Sequence, residues 1–266
     1  MIDFASQTVL VTGASSGIGR EFAHALARRG SSLVLVARRV DRLRELADSL
    51  SARHSVRVVP LAADLARPDT PARLHAELAA QGVRVTSLVN AAGFGTWGPF
   101  LEEDLERVEE EIAVDVTAPV RLARTFLPDL VRAGHGFLVN VASMAAYTPT
   151  PRMAVYGATK AFVLSFTEAL WAELRDTGLT VFALSPGATA TEFNAVVGTD
   201  DATAGARMRT PEDVVATAVA HLERRNPGPS VIDGRSNRVA SLVARHATRR
   251  QVVTIMHRIT DPARRR

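Results

Sequence analysis

Short apolar runs alternate with longer segments of helical periodicity along most of the chain. The runs are three to six residues long and show no alternation of apolar and polar positions, so each predicted strand is buried on both faces. The helical segments are long enough to cross back over a sheet. The pattern predicts one α/β domain with a doubly wound parallel sheet of about seven strands and helices on both faces. The predicted strands are Thr8–Val11, Leu33–Ala37, Val56–Leu61, Ser87–Asn90, Phe137–Val141, Thr180–Leu184 and Ser230–Ile232.

Two regions depart from this alternation. Residues 186–210 form an irregular stretch, and a loop of that length inside a compact domain is usually a functional lid or partly disordered. Residues 236–266 form a basic tail whose apolar positions, from Val239 to Ile259, have roughly helical spacing with a break at Arg249-Arg250. The helices predicted before the tail are Gly17–Arg29, Val40–Leu50, Ala72–Ala80, Leu101–Val131, Met153–Thr177 and Pro211–Glu223.

The composition excludes several kinds of site. The 266 residues include no cysteine, which excludes a disulfide framework, a thiolate metal site and a cysteine nucleophile, and no metal is expected. No apolar run reaches the roughly 18 residues of a membrane span. An acidic residue as early as Asp3, followed closely by a strand, is unlike a signal peptide. The expected location is therefore the cytoplasm.

Charge is distributed unevenly along the chain. From Arg235 to Arg266 there are nine arginines and one acidic residue, a net charge of +8, which leaves −4 for the first 234 residues. Because the basic character belongs to the tail, nucleic-acid binding is not expected. The tail is expected to pack as a basic helix on the domain or on a neighbouring subunit. Attachment to a membrane surface and binding of an acidic partner are the alternatives.

The turn after the first strand has the composition of a dinucleotide site. Three glycines follow Thr12 in the spacing GxxxGxG, and the segment opens the first helix. Glycines let the backbone approach a pyrophosphate, and a helix N-terminus offers unpaired N–H groups and the positive end of its dipole. A tight turn without a ligand is the alternative. The candidate cofactor-binding residues here are Gly13, Ser15, Ser16, Gly17, Ile18 and Gly19.

The second strand is followed by two arginines. NAD sites usually carry Asp or Glu at this point to hold the ribose 2′-hydroxyl, but this sequence has Arg38 and Arg39 and no carboxylate. A guanidinium can pair bidentately with a 2′-phosphate and stack on adenine. The sequence therefore predicts NADP as the cofactor, with solvated surface arginines as the alternative interpretation.

Six motifs lie where strands end or where the following helices begin, the edge at which open α/β sheets bind ligands. They are Thr12–Gly19, Asp64, Asn90–Gly93, Ser143, Tyr156-Gly157-Ala158-Thr159-Lys160 and Pro186-Gly187. In order and spacing they resemble the short-chain dehydrogenase/reductase family over about residues 6–235. The resemblance implies a single Rossmann-like, dinucleotide-binding catalytic domain over residues 1–235, including the loop 186–210, and assembly into homodimers or homotetramers.

Tyr156 and Lys160 are four residues apart on one predicted helix, so their side chains share a face. A phenol with a pKa near 10 is a poor acid at neutral pH, and an adjacent ammonium lowers that pKa. Lys160 is the single lysine in a chain with 31 arginines; arginine is bulkier and presents a different geometry. The alternative is a surface pair. Ser143 can donate to a substrate oxygen as negative charge develops, or it can cap the next turn.

The resemblance implies hydride transfer between nicotinamide and a carbonyl carbon. In that scheme Tyr156 gives the proton, Ser143 polarises the carbonyl, and Lys160 holds the ribose hydroxyls and tunes Tyr156. Asp64 is implied as a partner of the adenine amino group, with a helix N-cap as the alternative. The remaining implied cofactor-binding residues are Leu65, Asn90, Ala91, Ala92, Gly93, Tyr156, Lys160, Pro186, Gly187, Thr189 and Thr191. For Asn90–Gly93, a simple strand-ending turn is the alternative.

One position departs from the family pattern. The family usually carries an asparagine in the helix after the fourth strand, where it supports a helix irregularity and a water leading from the lysine to solvent; this sequence has Asp115. A carboxylate adds negative charge near Lys160 and partly offsets its effect on Tyr156. We therefore include Asp115 in the candidate catalytic set and expect an active enzyme with an altered pH optimum.

The expected substrate is a small-molecule carbonyl compound or alcohol. Apolar residues near the lid favour a hydrophobic or bulky substrate, and they are equally consistent with a core: Phe94, Trp97, Ala145, Ala146, Tyr147 and Phe193. The predicted function is that of an NADP(H)-dependent oxidoreductase acting on carbonyls or secondary alcohols. An NAD-dependent alcohol dehydrogenase and a non-catalytic NADP-binding regulator or scaffold are the alternatives.

Overall fold

The computed structural model describes residues 2–199 and 206–261, and one seven-stranded sheet forms its centre. The strands are β1 (Thr8–Thr12), β2 (Ser32–Ala37), β3 (Val58–Ala62), β4 (Ser87–Asn90), β5 (Phe137–Val141), β6 (Thr180–Ser185) and β7 (Ser230–Ile232). All neighbouring strands pair in parallel, in the order β3-β2-β1-β4-β5-β6-β7. The chain starts near the middle, winds outward to β3 and returns to β4. The predicted doubly wound parallel sheet is therefore confirmed.

Helices cover both faces of this sheet. They are α1 (Gly17–Ala27), α2 (Val40–His54), α3 (Thr70–Ala80), α4 (Leu105–Ile112), α5 (Ala118–Ala133), α6 (Ala154–Glu173), α7 (Phe193–Val197), α8 (Pro211–Leu222), α9 (Arg235–His246) and α10 (Arg249–Thr260). Val9 and Val11 of β1 enter the apolar cluster under α1, α2 and α8, whereas Leu10 enters the cluster under α3 and α5. This alternation explains why the strands are apolar throughout. Within the described ranges, no helix combines the length and apolar character needed to cross a membrane.

The region predicted as one helix over Leu101–Val131 is divided into several pieces. A short 3₁₀ turn precedes α4, and the Asp104 side chain caps α4 by accepting a hydrogen bond from the Glu106 backbone N–H at 3.0 Å. A five-residue π turn, Ala113–Thr117, then separates α4 from α5. The single-helix prediction is wrong here because a cap and a one-residue insertion leave the apolar periodicity almost unchanged.

The lid contains more regular structure than the sequence predicted, and the tail forms two helices whose break differs slightly from the predicted one. The stretch 186–210 includes α7 and a bridge between Thr189 and Arg209, while its residues 200–205 lie outside the described part of the chain. The tail breaks before Arg249, not at Arg249-Arg250. The reason is Thr248, whose hydroxyl accepts from the Gln251 N–H at 3.3 Å while the Gln251 side chain accepts from the Thr248 N–H at 2.9 Å.

Candidate active site

A cavity of about 870 Å³ follows the carboxyl ends of the strands and collects most of the predicted site residues. The predicted residues that line it are Gly13, Ser15, Ser16, Gly17, Ile18, Gly19, Arg38, Arg39, Asp64, Leu65, Ala91, Ala92, Gly93, Ser143, Tyr156, Lys160, Pro186, Gly187, Thr189 and Thr191. Two predicted site residues, Asn90 and Asp115, do not line the cavity. Each is buried behind it, in a different setting.

Asn90 joins two strands below the cavity floor. Its side-chain amide donates to Asn140 Oδ1 at 2.8 Å, and the Asn140 amide donates to Thr167 Oγ1 at 2.8 Å. Asn90 and Asn140 are register partners of β4 and β5. This placement does not favour the direct cofactor contact expected of Asn90, although the three small residues that follow it do line the cavity.

The glycines of the first turn are each required by a close approach. A Cβ on Gly13 would lie 2.9 Å from Ala92 Cα, and one on Gly19 would lie 2.5 Å from the Gly13 carbonyl oxygen. Gly13 also has a φ of +66°, which favours glycine. The Ser16 side chain, at the N-cap of α1, accepts from Arg39 and not from the helix backbone. The first N–H groups of α1 are therefore not capped by Ser16, and the residues that carry them, Gly17, Ile18 and Gly19, line the cavity, as an anion site requires.

Arg39 crosses over the glycine turn from the end of β2. It donates to Ser15 Oγ at 3.0 Å and to Ser16 Oγ at 2.9 Å. Its guanidinium also pairs with Glu192 Oε2 in the lid at 2.7 Å, and Arg42 pairs with the other oxygen of Glu192 at 2.6 Å. Hydrogen bonds from these two arginines lower the pKa of Glu192 to about 2.

Arg38 is directed differently from Arg39. Its guanidinium lies 3.1 Å from Glu110 Oε1 of α4, on the exposed side of the cavity.

Asp64, after β3, accepts from the Ala66 N–H at 3.0 Å and so also stabilises the turn that precedes α3. Arg42 and Glu192 were not predicted as site residues, because their pairing joins positions 150 residues apart and depends on how the lid folds.

Ser143, Tyr156 and Lys160 meet at the opposite end of the cavity. Ser143 follows β5, accepts from the Ala145 N–H at 3.1 Å, and lies close enough to Tyr156 to favour its phenolate. Lys160 Nζ lies 5.5 Å from the centre of the Tyr156 ring. Burial raises the pKa of Tyr156, and the lowering by Lys160 and Ser143 does not offset it. The expectation of a lowered phenol pKa therefore holds for the effect of Lys160 but is wrong for the net direction.

Asp115, which lies in the π turn, forms a buried ion pair with Lys160 of α6. The Asp115 Oδ2–Lys160 Nζ distance is 3.0 Å, and Asp115 Oδ1 accepts from the Phe94 N–H at 3.1 Å. Burial lowers the pKa of Lys160, but the charges of Asp115 and Tyr156 raise it on balance. Gly93 makes room for the pair, since a Cβ there would lie 2.9 Å from Lys160 Nζ.

The sheet order, the glycine turn and the Ser143, Tyr156 and Lys160 set point to one protein family. Residues 7–202 match the family described as short chain dehydrogenase. The chain belongs to the short-chain dehydrogenase family. A short chain dehydrogenase from Pseudocercospora fijiensis is 35% identical over 217 residues, which cover 81% of this chain and 65% of that protein. This chain therefore spans less than two thirds of that relative's length.

Two solved structures of dehydrogenases resemble the molecule over nearly its whole length. A short-chain dehydrogenase from Sphingobium yanoikuyae, in complex with NADPH, is 38% identical with a TM-score of 0.80, covering 93% of this chain and 94% of that one. A bulky-bulky ketone specific alcohol dehydrogenase from Comamonas testosteroni is 30% identical with a TM-score of 0.75, covering 92% and 98%. Both likenesses extend beyond the 7–202 region.

In this short-chain dehydrogenase the tail forms a wall of the cavity, which the sequence did not predict. Its lining residues are Asn237, Ala240, Ser241, Val243, Ala244, Ala247, Val252, Ile255, Met256 and Thr260. A Cβ on Gly187 would lie 2.4 Å from Asn237 Nδ2, so α9 packs directly on the turn after β6. The roughly helical spacing of apolar positions in the tail was the available signal, because it predicts a helix with an apolar face that needs a partner.

The apolar residues predicted near the lid divide into two groups. Phe94, Ala145 and Phe193 line the cavity, and the Phe193 and Tyr156 ring centres are 5.2 Å apart. By contrast, Trp97, Ala146 and Tyr147 are absent from the cavity lining; Ala146 and Tyr147 pack on a small cluster of core residues. Some of these side chains are therefore available to a substrate, as one interpretation predicted, and others belong to the core, as the alternative predicted.

Proposed function

We propose that this short-chain dehydrogenase transfers hydride between NADP(H) and a carbonyl compound or secondary alcohol, with Tyr156 as the proton donor or acceptor. The observation that carries the proposal is that Tyr156, Ser143 and Lys160 line one end of a cavity whose other end is the glycine turn. Because the cavity lining includes both the glycine turn and Tyr156, a dinucleotide bound along it would share the Tyr156 end with a substrate.

The residues around the turn fit a dinucleotide. Close packing of Gly13 and Gly19 keeps the cavity wall flat, and the N-terminus of α1 supplies N–H groups for a pyrophosphate. We assign the 2′-phosphate to Arg38 and Arg39, which favours NADP over NAD. Asp64 would accept from the adenine amino group, and Lys160 would hold the ribose hydroxyls. When bound, the cofactor supplies the hydride or accepts it.

The chain's own residues manage the proton. In the direction of reduction, the Tyr156 phenol protonates the carbonyl oxygen while the Ser143 hydroxyl donates a second hydrogen bond to it. Lys160 favours the phenolate that remains, because an adjacent positive charge stabilises it. In oxidation the same groups act in reverse order.

The cavity lining favours a ketone with a large apolar substituent. Met153 and Phe193 lie with Tyr156 around Gly95, and the same cavity is also lined by the apolar side chains of Phe94, Val252 and Met256. The Comamonas testosteroni relative is described as specific for bulky-bulky ketones, which supports the same substrate class here.

Two measurements test these proposals. Calorimetric titration with NADPH and, separately, NADH should give tight binding of NADPH and much weaker binding of NADH. Oxidation of NADPH should then be faster with propiophenone than with acetaldehyde. Preference for NADH would contradict the role of the arginines, and equal turnover of both carbonyls would contradict the bulky substrate class.

We also propose that residues 1–235 form the dinucleotide-binding catalytic domain, to which the tail adds one wall of the cavity, and that the protein assembles as a homodimer through α4 and α6. Ile112 and Phe162 are exposed apolar side chains on these helices, and Phe162 stacks on Phe166 at 5.8 Å. Exposed apolar helix faces of this kind are typical of subunit interfaces. Light scattering after size exclusion should give twice the 28.5 kDa chain mass, and Phe162→Asp should shift it toward the monomer.

A further inference from the structure

Glu111 is a buried carboxylate next to the catalytic residues that the proposed mechanism does not use. It lies one helical turn before Asp115 and has no solvent exposure. Its Oε2 accepts from the Thr96 backbone N–H at 2.9 Å, while its Oε1 has no hydrogen-bond partner among residues 2–199 and 206–261. Glutamate is almost never buried in this way without a pairing partner, so the position requires an explanation.

Glu111 and Asp115 hold the same short loop. Asp115 accepts from the Phe94 N–H and Glu111 accepts from the Thr96 N–H, so the two carboxylates fix alternate backbone positions after β4. Gly95 lies between Phe94 and Thr96 in the chain and packs on the catalytic tyrosine, since a Cβ on Gly95 would lie 3.1 Å from Tyr156 Cδ2. Glu111 is thus connected to Tyr156 through one peptide segment.

Glu111 is also connected to the catalytic residues through its charge. The charges of Asp115 in the π turn and Glu103 before α4 raise the pKa of Glu111. The charge of Glu111 in turn raises the pKa values of Tyr156 and Lys160 of α6. Glu103 is reached through the Thr96 hydroxyl, which donates to it at 3.0 Å. Burial raises the pKa of Glu111 to about 7, the Thr96 hydrogen bond lowers it, and Asp115 raises it.

We propose that Glu111 is a positioning residue that fixes the loop against Tyr156 and, by its ionisation state, sets how readily Tyr156 gives up its proton. When Glu111 is ionised, its charge opposes formation of the Tyr156 phenolate and raises the pKa of that phenol. When Glu111 is protonated, this opposition is removed. The inference rests on the proposed function, because it requires Tyr156 to be the proton donor.

The consequence is a dependence of ketone reduction on pH in the neutral range. As pH rises through the pKa of Glu111, Tyr156 becomes a weaker acid and kcat for reduction falls. Glu111→Gln keeps the shape and the acceptor for Thr96 but cannot ionise. Glu109→Gln, an exposed position on the same helix, is the matched control.

The test measures kcat and KM for NADPH-dependent reduction of propiophenone in the unmodified protein and both variants across neutral pH. The unmodified protein and Glu109→Gln should lose about twofold to fivefold in kcat as pH rises past neutral, with KM little changed. In Glu111→Gln this fall of kcat with pH should be absent, so its kcat should exceed that of the unmodified protein at the alkaline end of the range. An unchanged fall of kcat with pH in Glu111→Gln would overturn the inference, because a merely structural role for Glu111 predicts that the pH dependence stays the same.

A second readout does not depend on turnover. With ¹³C-labelled glutamate, one side-chain carboxyl resonance of the unmodified protein should titrate near pH 7 and should be missing in Glu111→Gln. If that variant does not fold, absence of such a resonance in the unmodified protein still overturns the inference. A titrating carboxyl without reduction of any ketone would instead contradict the proposed function, and the role given to Glu111 with it.

Discussion

The two ends of the cavity use charge in opposite ways. At the glycine turn, the paired side chains of Arg39 and Glu192 are 42% and 44% exposed, whereas at the catalytic end Lys160 and Asp115 are 6% and 0% exposed. Exposed pairs are screened by water and are worth about 0.2–1 kcal/mol. Buried pairs interact strongly, and loss of one partner leaves an uncompensated charge. The first end can therefore exchange partners, while the second has a fixed arrangement.

The largest effect is expected from removing the proton donor. Tyr156→Phe should lower kcat by about 10²–10⁴-fold, because general acid catalysis contributes that much. Calorimetric affinity for NADPH should remain within about twofold, since the phenol hydroxyl is distant from the glycine turn. Substantial turnover by this variant would contradict the proposed mechanism, and Tyr147→Phe, the other tyrosine, serves as its control.

The next effect concerns the buried ion pair. Lys160→Met should reduce the free energy of unfolding by about 3–5 kcal/mol, because it leaves Asp115 buried without its cation. Adding Asp115→Asn to that variant should restore more than half of the loss. Urea unfolding measures both, and Arg39→Met at the exposed end should cost less than about 1 kcal/mol. Equal losses at the two ends would contradict the contrast between them.

Cofactor selectivity tests the exposed end directly. Arg39→Ala should weaken NADPH binding by about tenfold to a hundredfold, because charge-assisted hydrogen bonds to a phosphate contribute on the order of 1.5–3 kcal/mol. NADH affinity should be unchanged. Arg44→Ala removes an exposed arginine of α2 outside the cavity and should leave both affinities as they are. A parallel loss of NADH affinity would show that Arg39 supports the turn and not the phosphate.

The pH profile tests the departure at Asp115. Its charge raises the pKa values of both Lys160 and Tyr156. Asp115→Asn removes that charge, so both pKa values should fall and the limb of the pH–rate profile that belongs to Tyr156 should move to lower pH. Steady-state rates over the pH range measure the shift, and an unchanged profile would mean that Asp115 does not influence the proton donor.

The smallest effect is expected at the lid. Glu192 pairs with Arg39 and Arg42 where we place the 2′-phosphate. Glu192→Gln should strengthen NADPH binding by about twofold to fivefold, because an exposed carboxylate no longer competes with the phosphate. The gain should shrink as salt concentration rises. Weaker binding in this variant would indicate that Glu192 organises the arginines for the cofactor.

Features set by residues close together in the chain could be predicted from the sequence, whereas features set by contacts between distant segments could not. The strands, the glycine turn and the Tyr156–Lys160 pair are defined by residues close together in the chain, so local spacing was sufficient. The direction of the Asn90 side chain depends on its register with Asn140, and the pairing of Arg42 with Glu192 depends on the lid. The π turn around Asp115 and the cavity wall formed by the tail likewise arise from packing that periodicity does not encode.

The wall formed by α9 and α10 has a consequence for how this enzyme can diversify. Every residue assigned here to the cofactor or to proton transfer precedes β7, while much of the wall comes after it. Substitutions confined to those two helices reshape the space for substrate and leave the reacting groups untouched. New carbonyl specificities are thus accessible by exchanging one contiguous segment, in evolution or by grafting in the laboratory.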